Sequence, residues 1–137
     1  MISQTFRYGM RTTVPLKYGD AVDRTREELG KEGFGVLTEI DVRATMKGKL
    51  DLEFRPYVIF GACNPQLAYQ ALSAERDIGL LLPCNVIVYA DDDPDTSTVA
   101  VMDPVAALAL TGNANVAPVA SEVRHRMERV LHALAAS

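Results

Sequence analysis

Two cysteines are the residues in this chain whose type and placement best suit chemistry. Cys63 and Cys84 lie 21 residues apart, each followed by asparagine, in Ala62-Cys63-Asn64-Pro65 and Pro83-Cys84-Asn85-Val86. Asn64-Pro65 joins an N-cap acceptor to a proline at the first helical position, so a helix begins there. A thiol just ahead of a helix N-terminus feels the positive end of the macrodipole. That favours thiolate and makes Cys63 the better candidate for a reactive or metal-binding sulfur. Against this stands the commoner role of free cysteine as a small buried hydrophobe. The spacing contains no C-x-x-C, so neither a thioredoxin-like motif nor a zinc ribbon is indicated. A structural zinc site wants four ligands, and two thiols per chain reach that number only across a two-fold axis.

Glu39 and Asp41 form a second candidate pair, about 7 Å apart on the more polar face of a strand. Carboxylates at that spacing can perform acid–base work or hold a cation, although the same pattern also describes a solvated strand face. His125 and His132 sit seven residues apart on one helix, about 10.5 Å along its axis, too far to share a metal unaided. The acidic run Asp91 to Asp95 lacks the alternate spacing, glycine and distal glutamate of a calcium loop. No Walker loop, dinucleotide fingerprint, nucleophile elbow or H-E-x-x-H occurs in the sequence.

The elements that must position these residues follow from periodicity. Thr5 to Val14 alternates and reads as a half-buried strand, with Phe6, Tyr8, Met10, Thr12 and Val14 on one side. Gly19 to Glu32 reads as a surface helix ended by Gly33 in a left-handed cap. Gly35 to Val42 alternates again, with Val36, Thr38, Ile40 and Val42 opposite Leu37, Glu39 and Asp41. Arg43 to Leu50 lacks that period and reads as a short helix. Tyr57 to Ala62 reads as a central strand running into the Pro65–Arg76 helix, which is expected to bury Leu67, Ala68, Ala71 and Leu72. Cys84 to Ala90 is apolar enough to predict burial on both faces. Thr98 to Met102 is the last strand, Asp103-Pro104 opens a short helix ended by Gly112, and Val119 to Ala136 closes the chain. If the strands carrying the two cysteines are antiparallel neighbours, both thiols lie at one end of the sheet, and the length of Ile78 to Pro83 favours that arrangement.

This order, β-α-β-(short α)-β-α-β-β-α-α, predicts an α+β two-layer sandwich with a largely antiparallel sheet covered by helices. The 137 residues and 14.9 kDa suit one domain spanning 1–137. Such a chain buries about two-thirds of its surface, enough for a core without metal or disulfide staples. A net charge of −4 argues against nucleic-acid or membrane-surface binding. No apolar run approaches a membrane span, the N-terminus lacks a signal-peptide core, and two cysteines make the cytoplasm the expected compartment.

Gly33 to Val42, Tyr57 to Pro65, Gly79 to Val86 and Asp103-Pro104 together resemble the bacterial and archaeal domain-of-unknown-function family 302. The blocks Gly61-Ala-Cys-Asn-Pro65 and Leu82-Pro-Cys-Asn-Val86 are its most specific marks, and the likeness runs from about Tyr8 to Leu134. The resemblance implies a compact α+β domain with an antiparallel sheet under helices, a tendency to form homodimers, and no assigned activity. Its motifs fall on Glu39, Asp41, Cys63, Asn64, Cys84 and Asn85, the same positions chosen from the residues.

Three readings of function follow from different classes. The first is a small homodimeric binding module that holds a small ligand or protein partner near the strand ends carrying Cys63 and Cys84. The alternative is a thiol-redox or metal-binding protein using those two cysteines. A hydrolase or isomerase built on Glu39 and Asp41 is a third. Neither a substrate nor a cofactor is specified by the sequence.

Overall fold

A computed structural model describes residues 4–137. The chain forms one six-stranded sheet, antiparallel at every pairing, with five α-helices. Strands β1 (Gln4–Phe6) and β2 (Gly9–Val14) precede α1 (Tyr18–Lys31), β3 (Gly35–Asp41) and α2 (Val42–Leu50). Then come β4 (Tyr57–Cys63), α3 (Pro65–Ala74), a 3-10 segment (Arg76–Leu81), β5 (Cys84–Ala90) and β6 (Ser97–Met102). The short α4 (Pro104–Leu108) and the long α5 (Ala117–Ala135) close the fold. The spatial order is β1-β2-β6-β5-β4-β3. This is the α+β sandwich expected from the element order.

One face of the sheet makes the core. Register aligns Met10 with Val101, Val101 with Val86 and Val86 with Phe60, and all four are buried. A second row runs Thr12–Val99–Val88–Val58. Helices α1 and α5 pack on this face and on each other. The expected stripe of α5, Val123, Met127, Val130, Leu131 and Leu134, is buried throughout, as 3.6-residue periodicity requires.

The structure departs from the expected pattern in four places, each with a local cause. The strand expected over Thr5–Val14 is a hairpin, because the chain turns at Arg7-Tyr8 and Phe6 pairs with Gly9. Phe6 therefore shares the face of Gly9, and Met10 faces the core from the other side. In β3 a bulge between Val36 and Thr38 shifts the alternation, so that Val36, Glu39 and Asp41 share a face. Strand β5 buries Cys84, Val86 and Val88 but leaves Ile87 and Tyr89 half-buried, because helices pack closely on only one of its sides. Helix α3 ends at Ala74 and buries only Leu67 and Ala71, with Leu72 exposed. The 3-10 segment leaves the helix there and carries Ile78 into the core instead.

Candidate functional site

The β4–β5 pairing sets Ala62 opposite Cys84, which brings Cys63 and Cys84 to the same end of the sheet. Two glycines permit the close approach there. A side chain at Gly61 would meet the Thr38 hydroxyl and come within 2.7 Å of Pro83 Cγ. Gly33 adopts φ +83°, a conformation that favours glycine, and a Cβ on it would stand 2.9 Å from Asn64 Nδ2.

Where β4 passes into α3, Asn64 caps the helix, its Oδ1 accepting from the Leu67 N–H at 3.2 Å, and Pro65 occupies the first turn. This expected cap turns the chain over the strand ends and opens a cleft of about 270 Å³. Its walls are apolar: Phe34 from the entry to β3, Leu67 and Ala71 from α3, Leu82 after the 3-10 segment, and Val119 and Val123 from α5. Cys63, Asn64 and Cys84 supply its polar and sulfur atoms. No acidic or basic side chain lines it.

Both thiols are free, Cys84 buried and Cys63 half-buried. Burial pushes the Cys63 thiol above its ordinary value. Burial, with Cys63 nearby as a second cause, pushes Cys84 up to about 11. This is opposite in direction to the expectation that the helix terminus would favour thiolate at Cys63, and burial is its cause. Among the described residues, no group of three or more His, Cys, Asp or Glu could hold a metal ion. With Cys84 at 6% exposure, a four-thiol site across a two-fold axis has no access to half its ligands.

The remaining sequence candidates lie elsewhere. Asn85 pairs with Gly61 on the opposite face of the sheet, where it borders a larger groove of about 570 Å³ with Phe6, Ile87, Met102 and Leu110. Glu39 makes an ion pair with Arg26, whose guanidinium also lies 4.7 Å above the Phe60 ring. Asp41 caps α2, Oδ1 accepting from the Ala44 N–H at 2.9 Å. The two carboxylates border a shallow depression with Tyr18, whose pKa rises through burial and then through Asp41 and Glu39. Structural work thus occupies both carboxylates. Phe34, Leu82, Val119 and Val123 were missed as cleft residues, because apolar side chains that line a cleft have the same periodicity as those that fill a core.

Comparison with known proteins follows the same lines. A family model described as domain of unknown function DUF302 matches residues 10–134. None of the curated proteins matches this chain. Among solved structures, the chain is similar to the crystal structure of an uncharacterized conserved DUF302 protein from Bacillus stearothermophilus. The TM-score is 0.85 at 26% identity, over 93% of this chain and 98% of that one.

Proposed function

The chain belongs to the DUF302 family, and from that premise we propose that it is a homodimeric binding module whose cleft, at the strand ends carrying Cys63 and Cys84, takes a small apolar ligand. One observation carries this reading: the cleft is apolar on every wall yet bordered by Cys63, Asn64 and Cys84. That is the composition of a ligand site, mostly apolar with a few placed polar groups. Its volume admits a ligand of about nine heavy atoms at ~30 Å³ each. The groove beside Asn85 is larger, but it opens along the sheet and holds neither thiol.

The test is thermal stability of the protein in a series of neutral alcohols of four to fourteen heavy atoms. A ligand at a hundredfold its Kd adds about 2.7 kcal/mol, so a real occupant raises the midpoint by several degrees. Stabilisation is expected to peak near nine atoms and to vanish in Ala68→Phe, which fills the cleft from a half-buried position on α3. No shift at any chain length contradicts the reading.

The homodimer is proposed to form on the sheet face opposite α1 and α5. There Ile40, Ile59, Ile87 and Ala100 stand side by side across four strands, and the Tyr57 and Tyr89 rings stack at 5.4 Å beside them. Two unbridged cysteines fit the cytoplasm, and the net charge of −4 gives no support to nucleic-acid binding. Among the described residues no helix is long and apolar enough to cross a membrane.

A second reading, thiol or metal chemistry, is favoured only by the two sulfur atoms sharing one cleft. Metal analysis and thiol titration on anaerobically purified protein separate it from the first. Stoichiometric metal lost in the Cys63→Ser, Cys84→Ser double variant supports chemistry. Thiols that titrate only after denaturation support packing.

A further inference from the structure

On the sheet face opposite α1 and α5, the groove beside Asn85 has an aromatic wall held in place from several sides. Phe6 pairs with Gly9, and Gly9 with Met102, on the face away from the core. A Cβ on Gly9 would stand 2.6 Å from Phe6 Cζ, so glycine there lets the Phe6 ring lie against the strand. The Arg11 guanidinium sits 4.6 Å from that ring's centroid, and the Tyr8 ring meets it perpendicularly at 4.9 Å. The Tyr8 carbonyl accepts from the Asp103 N–H at 2.9 Å, which ties the hairpin turn to the start of α4. Turn and helix are thereby fixed as two walls of the groove, and the small side chains of Ala100, Ala106 and Ala107 keep it open.

Two large apolar side chains on those walls stand in water, Tyr8 at 73% and Leu110 at 78% exposure. A ligand lying between them would cover apolar surface that the fold leaves bare. Arg7 is the one charged side chain among the described residues that line the groove, on a chain whose net charge is −4. The groove shares no lining residue with the cleft at Cys63 and Cys84.

We infer that this groove is a second ligand site and that it takes a flat aromatic carboxylate. The ring packs against Tyr8 and Leu110 over the alanines, and the carboxylate accepts from the Arg7 guanidinium, a charge-assisted contact. A volume of about 570 Å³ admits about nineteen heavy atoms at ~30 Å³ each. A neutral amide of the same outline keeps the ring contacts and leaves Arg7 without its anion.

The probes are 2-naphthoate and 2-naphthamide, titrated calorimetrically into the wild type, Arg7→Gln and Tyr8→Leu. Both substituted residues are exposed and lie in a turn, so neither change empties the core. Ile87 and Ala100 also belong to the row proposed for the dimer. Ile59→Lys, in that row but outside the groove, is therefore titrated beside the wild type to keep the groove open to the probes. The acid is expected to bind roughly tenfold more tightly than the amide. Arg7→Gln is expected to erase that preference while amide affinity holds within about twofold. Tyr8→Leu is expected to weaken both probes by roughly threefold to tenfold, the worth of an aromatic contact. Amide bound as tightly as acid overturns the anionic ligand, a comparison that needs no variant. A preference that survives Arg7→Gln, or affinities untouched by Tyr8→Leu, place the probe elsewhere and overturn the site. If neither the wild type nor Ile59→Lys binds 2-naphthoate, the inference fails, while the cleft reading, tested with alcohols, is unaffected.

Discussion

Burial in the helix-covered layer holds the Cys84 thiol at about 11 against an ordinary 9.0, which ties it to stability as well as to reactivity. The folded state keeps the proton longer than the unfolded chain does. The stabilisation is therefore complete below pH 9 and disappears as pH rises from 9 to 11, by about 3 kcal/mol across the window. Tyr18 and Tyr57 are shifted in the same direction, chiefly by burial, and add to the alkaline fall. Urea unfolding as a function of pH should show a steeper loss above pH 9 in the wild type than in Cys84→Ala. Equal slopes would refute the assignment. Thr12 makes an independent prediction. It is 2% exposed, and its hydroxyl has no hydrogen-bond partner among the described residues. Thr12→Val keeps the shape and removes the unpaired group, so it should stabilise the fold by about 1 kcal/mol. A destabilised Thr12→Val would mean that the hydroxyl is satisfied in solution.

At the scale of elements, α2 has no buried residue and is anchored by its cap at Asp41. Asp41→Ala should speed amide exchange through Val42–Leu50 by roughly fivefold to tenfold, for about 1 kcal/mol of lost capping, while leaving exchange in α5 unchanged. Uniform acceleration across the protein would contradict a local role. The same comparison of elements shows what the sequence could and could not disclose. The cap at Asn64, the left-handed Gly33 and the α5 stripe were legible because each depends on residues within one or two turns. The Arg7-Tyr8 turn and the Leu37 bulge were not. Each changes which face a strand residue occupies, and only the partner strand decides that. The proximity of Cys63 and Cys84 was readable as a consequence of antiparallel pairing. The cleft that joins them to Asn64 depends on how α3, the 3-10 segment and α5 meet, and nothing local encodes that.

For the molecule as a whole, the accessible surface is 7794 Å², somewhat above the ~7,000 Å² expected for a monomer of this mass. Part of the surplus is apolar and lies near β3 and the end of α2, including Ile40, Leu50, Leu52 and Phe54. A dimer formed on the Ile40–Ile59–Ile87 row would cover much of it. Ile59→Lys is expected to yield a monomer by light scattering without loss of the folded state, and a dimer unchanged by that substitution would place the interface elsewhere. Ile59 does not line the cleft, so ligand binding should survive in the Ile59→Lys variant. The central claim is that the cleft, and not the groove beside Asn85, is where the ligand sits. The most direct measurement is an amide chemical-shift titration with 1-octanol on the wild-type protein. Saturable shifts with one ligand per chain are expected along Ala62–Ala71, at Leu82 and Cys84, and at Val119 and Val123. Shifts confined to Ile87, Ala100 and Met102, or none at saturation, would contradict it.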